Sequence, residues 1–258
     1  MQIHQSYAAR ANELKGRVIA ITGAGDGIGQ AVALAAAAHG AEVILIGRTV
    51  RKLEAVHAGI AALGQAEASI APLDLEKAVA RDYDALADAV MQRYGRLDGL
   101  LHNAAVLGPL APVEQYDIPS WCRVLHVNLT AAFALTQVLM PALRASSDAS
   151  IVFTGASEAN RPRAYWGAYV VSKSAIASLV QVLADEVEHL GNIRVNLIDP
   201  GPVRSRIRRQ AYPAEDISTI PMPEKLVQPY LWLLGAASRG TSGRTLGAQE
   251  QPGPVSQP

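Results

Sequence analysis

One cysteine, Cys122, stands in a chain of 258 residues. No internal disulfide framework can form from it, and such usage fits a reducing compartment. A lone thiol of this kind is more often a small buried hydrophobe than a nucleophile. Net charge is also missing, because Lys plus Arg and Asp plus Glu both number 23. A neutral chain gives no electrostatic reason to expect nucleic acid or an anionic membrane as a partner. Uninterrupted apolar runs stay well short of the roughly 18 residues of a membrane span. Residues 1–15 are polar and charged and lack the apolar stretch of a signal peptide. A soluble cytoplasmic protein is therefore the default expectation. The six histidines show no spacing suited to a metal site, so no metal is expected. No internal repeat of short period is present.

What the chain does have is aliphatic content and regular punctuation. Half its residues are hydrophobic, and the length suits one α/β domain with little room for a second. Four times an Ala- and Leu-rich segment ends in a glycine (Gly40, Gly64, Gly95, Gly191) and a short aliphatic run follows. Glycine just past a helix end takes the left-handed conformation at low cost. Aliphatic runs without alternation suit strands buried on both faces. The pattern predicts βα units wound into a three-layer, Rossmann-like, doubly wound parallel sheet of about seven strands with helices on both faces.

Strands are expected near 17–22, 43–46, 69–73, 97–102, 150–154, 193–198 and 244–246. Helices are expected near 28–39, 50–63, 80–94, 120–145, 165–190 and 225–234. Residues 1–14 read as an N-terminal extension and 248–258 as an irregular tail. The segment 204–223, with three prolines and many charges, breaks the rhythm and reads as an insertion with its own mobility.

The first strand runs into Gly23, Ala24, Gly25, Asp26, Gly27, Ile28 and Gly29, and an Ala-rich helix follows. Glycines permit the tight turn, let backbone approach a pyrophosphate, and leave unpaired amides at the helix start facing the anion. Placed between a buried strand and a helix, this is a dinucleotide-loop signal; the alternative is a tight turn without ligand. At the tip of the second strand an NAD site usually carries an acidic residue for the ribose 2′-hydroxyl. This chain has Gly47 and Arg48 instead. A guanidinium suits a 2′-phosphate, and Arg51 and Lys52 add positive charge, so NADP(H) is favoured over NAD(H). The alternative is a solvated surface arginine.

Tyr169 and Lys173 are four residues apart in an expected helix, so their side chains share a face. A free phenol titrates at about 10, too high for easy proton exchange near neutrality. A neighbouring ammonium favours the phenolate and tunes the group for general acid/base work. The pair alone is weak evidence, but it lies just beyond the fifth expected strand of a chain that opens with a glycine loop.

Together these motifs resemble the short-chain dehydrogenase/reductase family over residues 14–247. Thr22, Gly23, Gly27 and Gly29 match the family's TGxxxGxG loop, and Tyr169 and Lys173 match its YxxxK pair. The segments LDGLLHNA, WGAY, VQVLADE and PYLWLLG are similar to the YciK-like oxidoreductase branch. The resemblance implies hydride transfer between nicotinamide and a small carbonyl or alcohol substrate. It implies that Asp74 and Leu75 contact adenine, and that Asn103, Ala104 and Ala105 pack beside the adenine ribose. It implies that Asn128 anchors a water relaying protons to Lys173, and that Lys173 holds the nicotinamide ribose. Pro200 and Gly201 match the PG turn, with Val203 and Ser205 near the nicotinamide amide.

One departure matters. The family's serine thirteen residues before the tyrosine is Ala156 here, and Ser157 is adjacent. Either Ser157 polarises the carbonyl in its place or it points elsewhere, which would remove an oxyanion donor. A dinucleotide-binding sensor or scaffold with little turnover is the rival reading. Arg204, Arg206, Arg208 and Arg209 crowd the segment expected to cover the substrate; they suit an anionic substrate, a second phosphate contact or a solvated loop. Tyr165 and Trp166 are candidates for the pocket wall, with core or subunit packing as the equal alternative. The helices at 120–145 and 165–190 are apolar over a wide arc, and the resemblance implies that they form a homodimer or homotetramer interface.

Overall fold

The computed structural model describes residues 7–64 and 67–249. All seven expected strands are present: β1 (Val18–Thr22), β2 (Glu42–Gly47), β3 (Ala68–Pro72), β4 (Gly99–His102), β5 (Ala149–Thr154), β6 (Ile193–Asp199) and β7 (Arg244–Gly247). They form one parallel sheet in the order β3-β2-β1-β4-β5-β6-β7. The chain winds outward from β1 in one direction and from β4 in the other. Their carboxyl ends therefore flank the switch point where doubly wound sheets open a ligand crevice.

The helices are α1 (Gly27–Ala38), α2 (Val50–Ala61), α3 (Ala80–Tyr94), α4 (Ile118–Leu125), α5 (Ala131–Arg144), α6 (Ser157–Asn160), α7 (Gly167–Val187), α8 (Arg206–Ala211) and α9 (Val227–Leu234). Alternate residues of each strand feed opposite layers. Ile19 and Ile21 pack with Leu53, Leu231 and Leu234 on one face. Val18 and Ala20 pack with Leu135, Leu139, Ile176 and Val180 on the other. This two-sided burial is why the strands read as continuous aliphatic runs.

Several sequence-based expectations need correction. The expected helix at 120–145 begins at Ile118, because Asp117 accepts a hydrogen bond from the Ser120 amide at 2.8 Å and caps the start. A π-helical turn, His126–Thr130, interrupts it. The segment 204–223, read as an insertion, contains α8, capped by the Ser205 hydroxyl accepting from the Arg208 amide at 3.1 Å. Cys122 is exposed rather than buried; it lies two residues before Val124, the buried position of α4, and so faces away from the core.

Residues of the expected N-terminal extension pack onto the domain. Leu14 is fully buried, and the Ala9 amide donates to Gln228 at 2.7 Å. Of the expected tail, Gln249 donates to the Pro200 and Pro202 carbonyls at 2.6 and 2.7 Å; 250–258 lie outside the described residues.

By length and composition the helical stretches Ile118–Arg144 and Gly167–Leu190 could cross a membrane. Here their apolar residues serve the core: Leu135, Leu139 and Leu143 of α5 and Ile176, Val180 and Leu183 of α7 join the sheet's packing.

At the amino ends of the strands lies a buried ion network. Arg17 donates to the Asp148 carboxylate at 2.9 Å and to the Asp98 and Asp148 carbonyls at 2.9 and 2.6 Å. Arg194 pairs with the other Asp148 oxygen and donates to the Gly235 carbonyl at 3.1 Å. Burial alone would raise the Asp148 carboxyl, but the hydrogen bonds from Arg194 and Arg17 outweigh it and hold it down at about 2. Asp148→Asn leaves two buried guanidiniums short of a counter-charge and is expected to destabilise the fold by about 3 kcal/mol in urea melts at pH 7. A carboxyl depressed on folding stabilises above its unfolded range of about 4, and that stabilisation disappears as pH falls towards about 2. The gap between wild type and variant should therefore shrink when the melts are repeated at pH 3.

Candidate active site

The carboxyl end of β1 hands over to the glycine turn. Thr22 fixes that handover: its hydroxyl accepts from the Asn103 and Ala104 amides at 2.9 and 3.1 Å and donates to the Leu101 carbonyl at 3.3 Å. Gly29 sits where α1 crosses the turn; a Cβ there would lie 2.3 Å from the Gly23 carbonyl oxygen and 2.7 Å from Asn103 Nδ2. Gly27 has φ +55°, and a Cβ on it would meet nothing within 4 Å, because it borders open cavity. One glycine thus permits close packing and another leaves space above the amino end of α1, where unpaired amides favour an anion. Asp26 at that helix start turns to Lys52, 2.5 Å away. The Lys52 hydrogen bond holds the Asp26 carboxyl below its ordinary value, with a smaller contribution from Arg206.

A cavity of about 300 Å³ runs from this turn along the sheet's carboxyl edge. Gly23, Gly25, Asp26, Gly27, Ile28, Arg48, Asp74, Leu75, Asn103, Ala104, Ala105, Ser157, Tyr169, Lys173, Pro200, Gly201, Val203 and Ser205 all line it. Two predicted residues do not. Gly29 lies beneath the turn, and Asn128 lies behind Lys173, bordering a small separate cavity.

At one end, Arg48 stands 3.5 Å from Glu76, which accepts from Arg123 Nε at 2.8 Å. The side chain of Asp74 accepts from the Glu76 amide at 3.2 Å. Lys52 also lines the cavity, whereas Arg51 does not. At the other end, Tyr169 and Lys173 project from one face of α7, both buried. Lys173 Nζ donates to the Thr154 carbonyl at 2.7 Å and lies 5.9 Å from the Tyr169 ring centroid. Burial pushes the Lys173 ammonium down to about 8. Burial pushes the Tyr169 phenol up, and the carboxylates of Glu158 and Asp199 add to that. The expectation that Lys173 leaves this phenol below its ordinary value does not hold in the chain alone; desolvation dominates.

Asn128, on the π-helical turn, spends its side chain within the protein. It accepts from the Val106 amide at 2.8 Å and donates to the Val106 carbonyl and the Ser172 hydroxyl, each at 3.0 Å. It ties the segment after β4 to α7 beside Lys173. Ala156 is a buried part of the cavity wall. Ser157 lines the cavity too, but its hydroxyl donates to Asp199 at 3.0 Å, and the Gly201 amide donates to the same oxygen at 2.9 Å. His102, at the end of β4 just before Asn103, is buried between Phe153 and Thr136. Burial pushes its ring down to about 3, so it stays neutral.

The arginines of 204–223 divide. Arg204 donates to the Ile220 and Ser218 carbonyls at 2.6 and 2.8 Å, and Arg208 is forked by Glu215 at 2.7 and 2.5 Å. The solvated-loop reading therefore fails for these two, while Arg206 and Arg209 are exposed. Trp166 lines the cavity and Tyr165 does not; Tyr165 is exposed, with φ 74°. Glu76, Glu158, Ile207 and Tyr212 also line the site and carried no sequence signal, because they reach it from three segments far apart in the chain: the stretch after β3, the short α6, and α8 with the residue that ends it. Among the described residues no cluster of three metal-ligating side chains is found.

Comparison with known proteins gives one answer. The short chain dehydrogenase family model matches residues 17–216. The oxidoreductase YciK of Escherichia coli K12, itself uncharacterized, is 40% identical over 243 residues, covering 94% of this chain and 96% of that one. A short chain dehydrogenase from Salmonella enterica serovar Typhi superposes with TM-score 0.90 at 42% identity, covering 94% of this chain and 100% of that one. A short chain dehydrogenase from E. coli CFT073, solved in complex with NADPH, gives TM-score 0.88 at 42% identity, covering 93% of this chain and 100% of that one. With the sheet order, the glycine turn and the Tyr169–Lys173 face already in place, the chain belongs to the short-chain dehydrogenase/reductase family of oxidoreductases.

Proposed function

We propose that this oxidoreductase transfers a hydride between NADP(H) and a small carbonyl or alcohol substrate, with Tyr169 as general acid/base assisted by Lys173. The observation that carries the reading is the continuity of one cavity from the glycine turn, past Arg48, to Tyr169 and Lys173. Relatives solved with NADP and NADPH support the cofactor choice. When bound, the nicotinamide gives or takes the hydride.

The chain supplies position and charge. The open space beside Gly27 and the amides at the start of α1 fit a pyrophosphate, with Gly23, Gly25, Asp26 and Ile28 around it and Gly29 packed beneath. Asp74 and Leu75 border the adenine end, with Asn103, Ala104 and Ala105 beside its ribose. Pro200, Gly201, Val203 and Ser205 flank the nicotinamide end. Lys173, anchored on Thr154, has further N–H groups for ribose hydroxyls. Tyr169 Oη gives its proton to the carbonyl oxygen in reduction and takes it back from the alcohol in oxidation. With its ammonium 5.9 Å from the Tyr169 ring centroid, Lys173 favours the phenolate left behind when that proton is transferred. Ser157 polarises that carbonyl once its hydroxyl turns from Asp199. Asn128 acts as a positioning residue through Val106 and Ser172, and a water held beside it serves the proton path to Lys173.

Arg48 tests the cofactor choice. Arg48→Ala is expected to weaken NADPH binding about 30-fold, as loss of a charge-assisted phosphate contact does, and NADH binding less than threefold, measured by nucleotide-fluorescence titration. The NAD(H) reading draws on Glu76, a carboxylate beside Arg48 able to accept from a ribose hydroxyl; equal losses for both nucleotides would favour it. We also place the protein in the cytoplasm, as one domain assembled into a homodimer or homotetramer. Exposed Phe133 on α5 and Val171 and Val182 on α7 supply the apolar surface, and light scattering on the purified chain measures the oligomer.

A further inference from the structure

Around Tyr169 the cavity wall forms a chamber from three separate pieces of chain that pack together: Ala156 after β5, Trp166 at the start of α7, and Ile207, Ala211 and Tyr212 along and after α8. Its broad surfaces are aromatic. The Trp166 ring centroid lies 5.9 Å from that of Tyr169, tilted by 59°, and 5.6 Å from that of Tyr212, tilted by 43°. Trp166 is buried, so the surface it offers is a fixed wall.

Two arginines of α8 line the cavity here: Arg206 is exposed and close enough to Asp26, at the glycine turn, to lower its carboxyl, whereas Arg208, beside the aromatic wall, is already matched. Arg208 is held by both oxygens of Glu215 and lies 3.9 Å from the Tyr212 ring centroid, with its remaining terminal nitrogen 3.9 Å from Glu158. Glu158 also accepts from the Tyr212 hydroxyl at 3.4 Å. Two carboxylates and one guanidinium leave the cluster one negative charge in excess. To receive a substrate carboxylate or phosphate, Arg208 would have to leave a two-pronged pair and a stacked ring. Sites that read small ligands combine an apolar wall with a few polar groups; here the polar groups on the wall are Tyr169 and Ser157, the latter turned to Asp199.

We propose that the substrate is a neutral, ring-bearing ketone or aldehyde whose ring lies against Trp166 and Tyr212, and that the Glu158–Arg208–Glu215 cluster turns carboxylate-bearing carbonyl compounds away. The inference rests on the NADPH-reductase reading above and specifies what that site takes.

The test uses the full chain, NADPH, and a matched pair: methyl 4-formylbenzoate and 4-carboxybenzaldehyde, which differ by one negative charge on the same ring. Butanal serves as the acyclic control. The neutral ester is expected to show kcat/KM at least about tenfold above both the acid and butanal. Trp166→Ala and, separately, the part-exposed Tyr212→Ala should raise KM for the ester about tenfold and leave the NADPH dissociation constant within about twofold. Glu158→Gln should narrow the gap between ester and acid. Equal or better turnover of the acid, or a preference for butanal, overturns the substrate class while leaving the reductase reading intact. NADPH binding without turnover of any of the three carbonyls overturns both.

Discussion

Tyr169→Phe is expected to lose about a thousandfold in kcat while the NADPH dissociation constant stays within about threefold. The substitution removes one oxygen and keeps a ring of the same shape in the same buried slot, so packing around Trp166 and Ala156 is preserved. What disappears is the proton at the substrate oxygen, and a positioned general acid contributes on the order of a hundred- to ten-thousandfold. The assay pairs steady-state turnover with a fluorescence titration of NADPH. This pairing also decides the rival reading of a dinucleotide-binding sensor. A sensor has no turnover to lose, so wild type and variant would bind NADPH alike and reduce nothing. A variant that keeps more than a tenth of wild-type kcat would remove Tyr169 from the role of acid and place the proton elsewhere.

Gly29→Ala should cost the protein both its cofactor and part of its stability. The added methyl would stand 2.3 Å from a backbone oxygen of Gly23 and 2.7 Å from Asn103 Nδ2. Neither neighbour is the loose end of a long side chain. Asn103 is pinned to Thr22 through its amide at 2.9 Å and its side chain at 3.3 Å, so the turn itself must shift. Overpacking of this kind costs about 3 kcal/mol, and displacement of the turn should weaken NADPH binding by a hundredfold or more. At a hundred times the dissociation constant, NADPH adds about 2.7 kcal/mol to wild-type stability. Thermal melts with and without NADPH should show that increment in the wild type and not in the variant. Gly27→Ala separates the two effects. Its Cβ meets no protein atom, so the fold pays only for a left-handed alanine, about 1 kcal/mol, while binding still suffers. Unchanged NADPH stabilisation in Gly29→Ala would mean that the pyrophosphate does not rest on this turn.

The frame of this protein was legible because its signals are local and repeated. Gly95 and Gly191 do end their helices, with φ of 69° and 70°, and the aliphatic runs beyond them are the strands. The Tyr169–Lys173 pair was legible for the same reason, since i and i+4 on a helix must share a face. What stayed hidden depends on partners far away in the sequence. Arg48 reads as a free cation until Glu76 is placed 3.5 Å from it and Arg123 behind that. Ser157 reads as an available hydroxyl until Asp199, 42 residues on, takes its hydrogen. Helix α8 escaped notice because a six-residue helix rich in arginine has too short an apolar stripe to register. The upward push on Tyr169 depends on how deeply α7 is buried, which spacing does not record.

The ion network around Asp148 gathers where the strands begin, and the cavity opens where they end. The strands are all parallel, so these two functions are separated by the full length of the sheet. Residues that keep the scaffold rigid are therefore not the residues that meet the ligand. Selection can remodel the chamber around Tyr212 for a new molecule without loosening the frame, and an engineer can reinforce the frame without disturbing the chemistry.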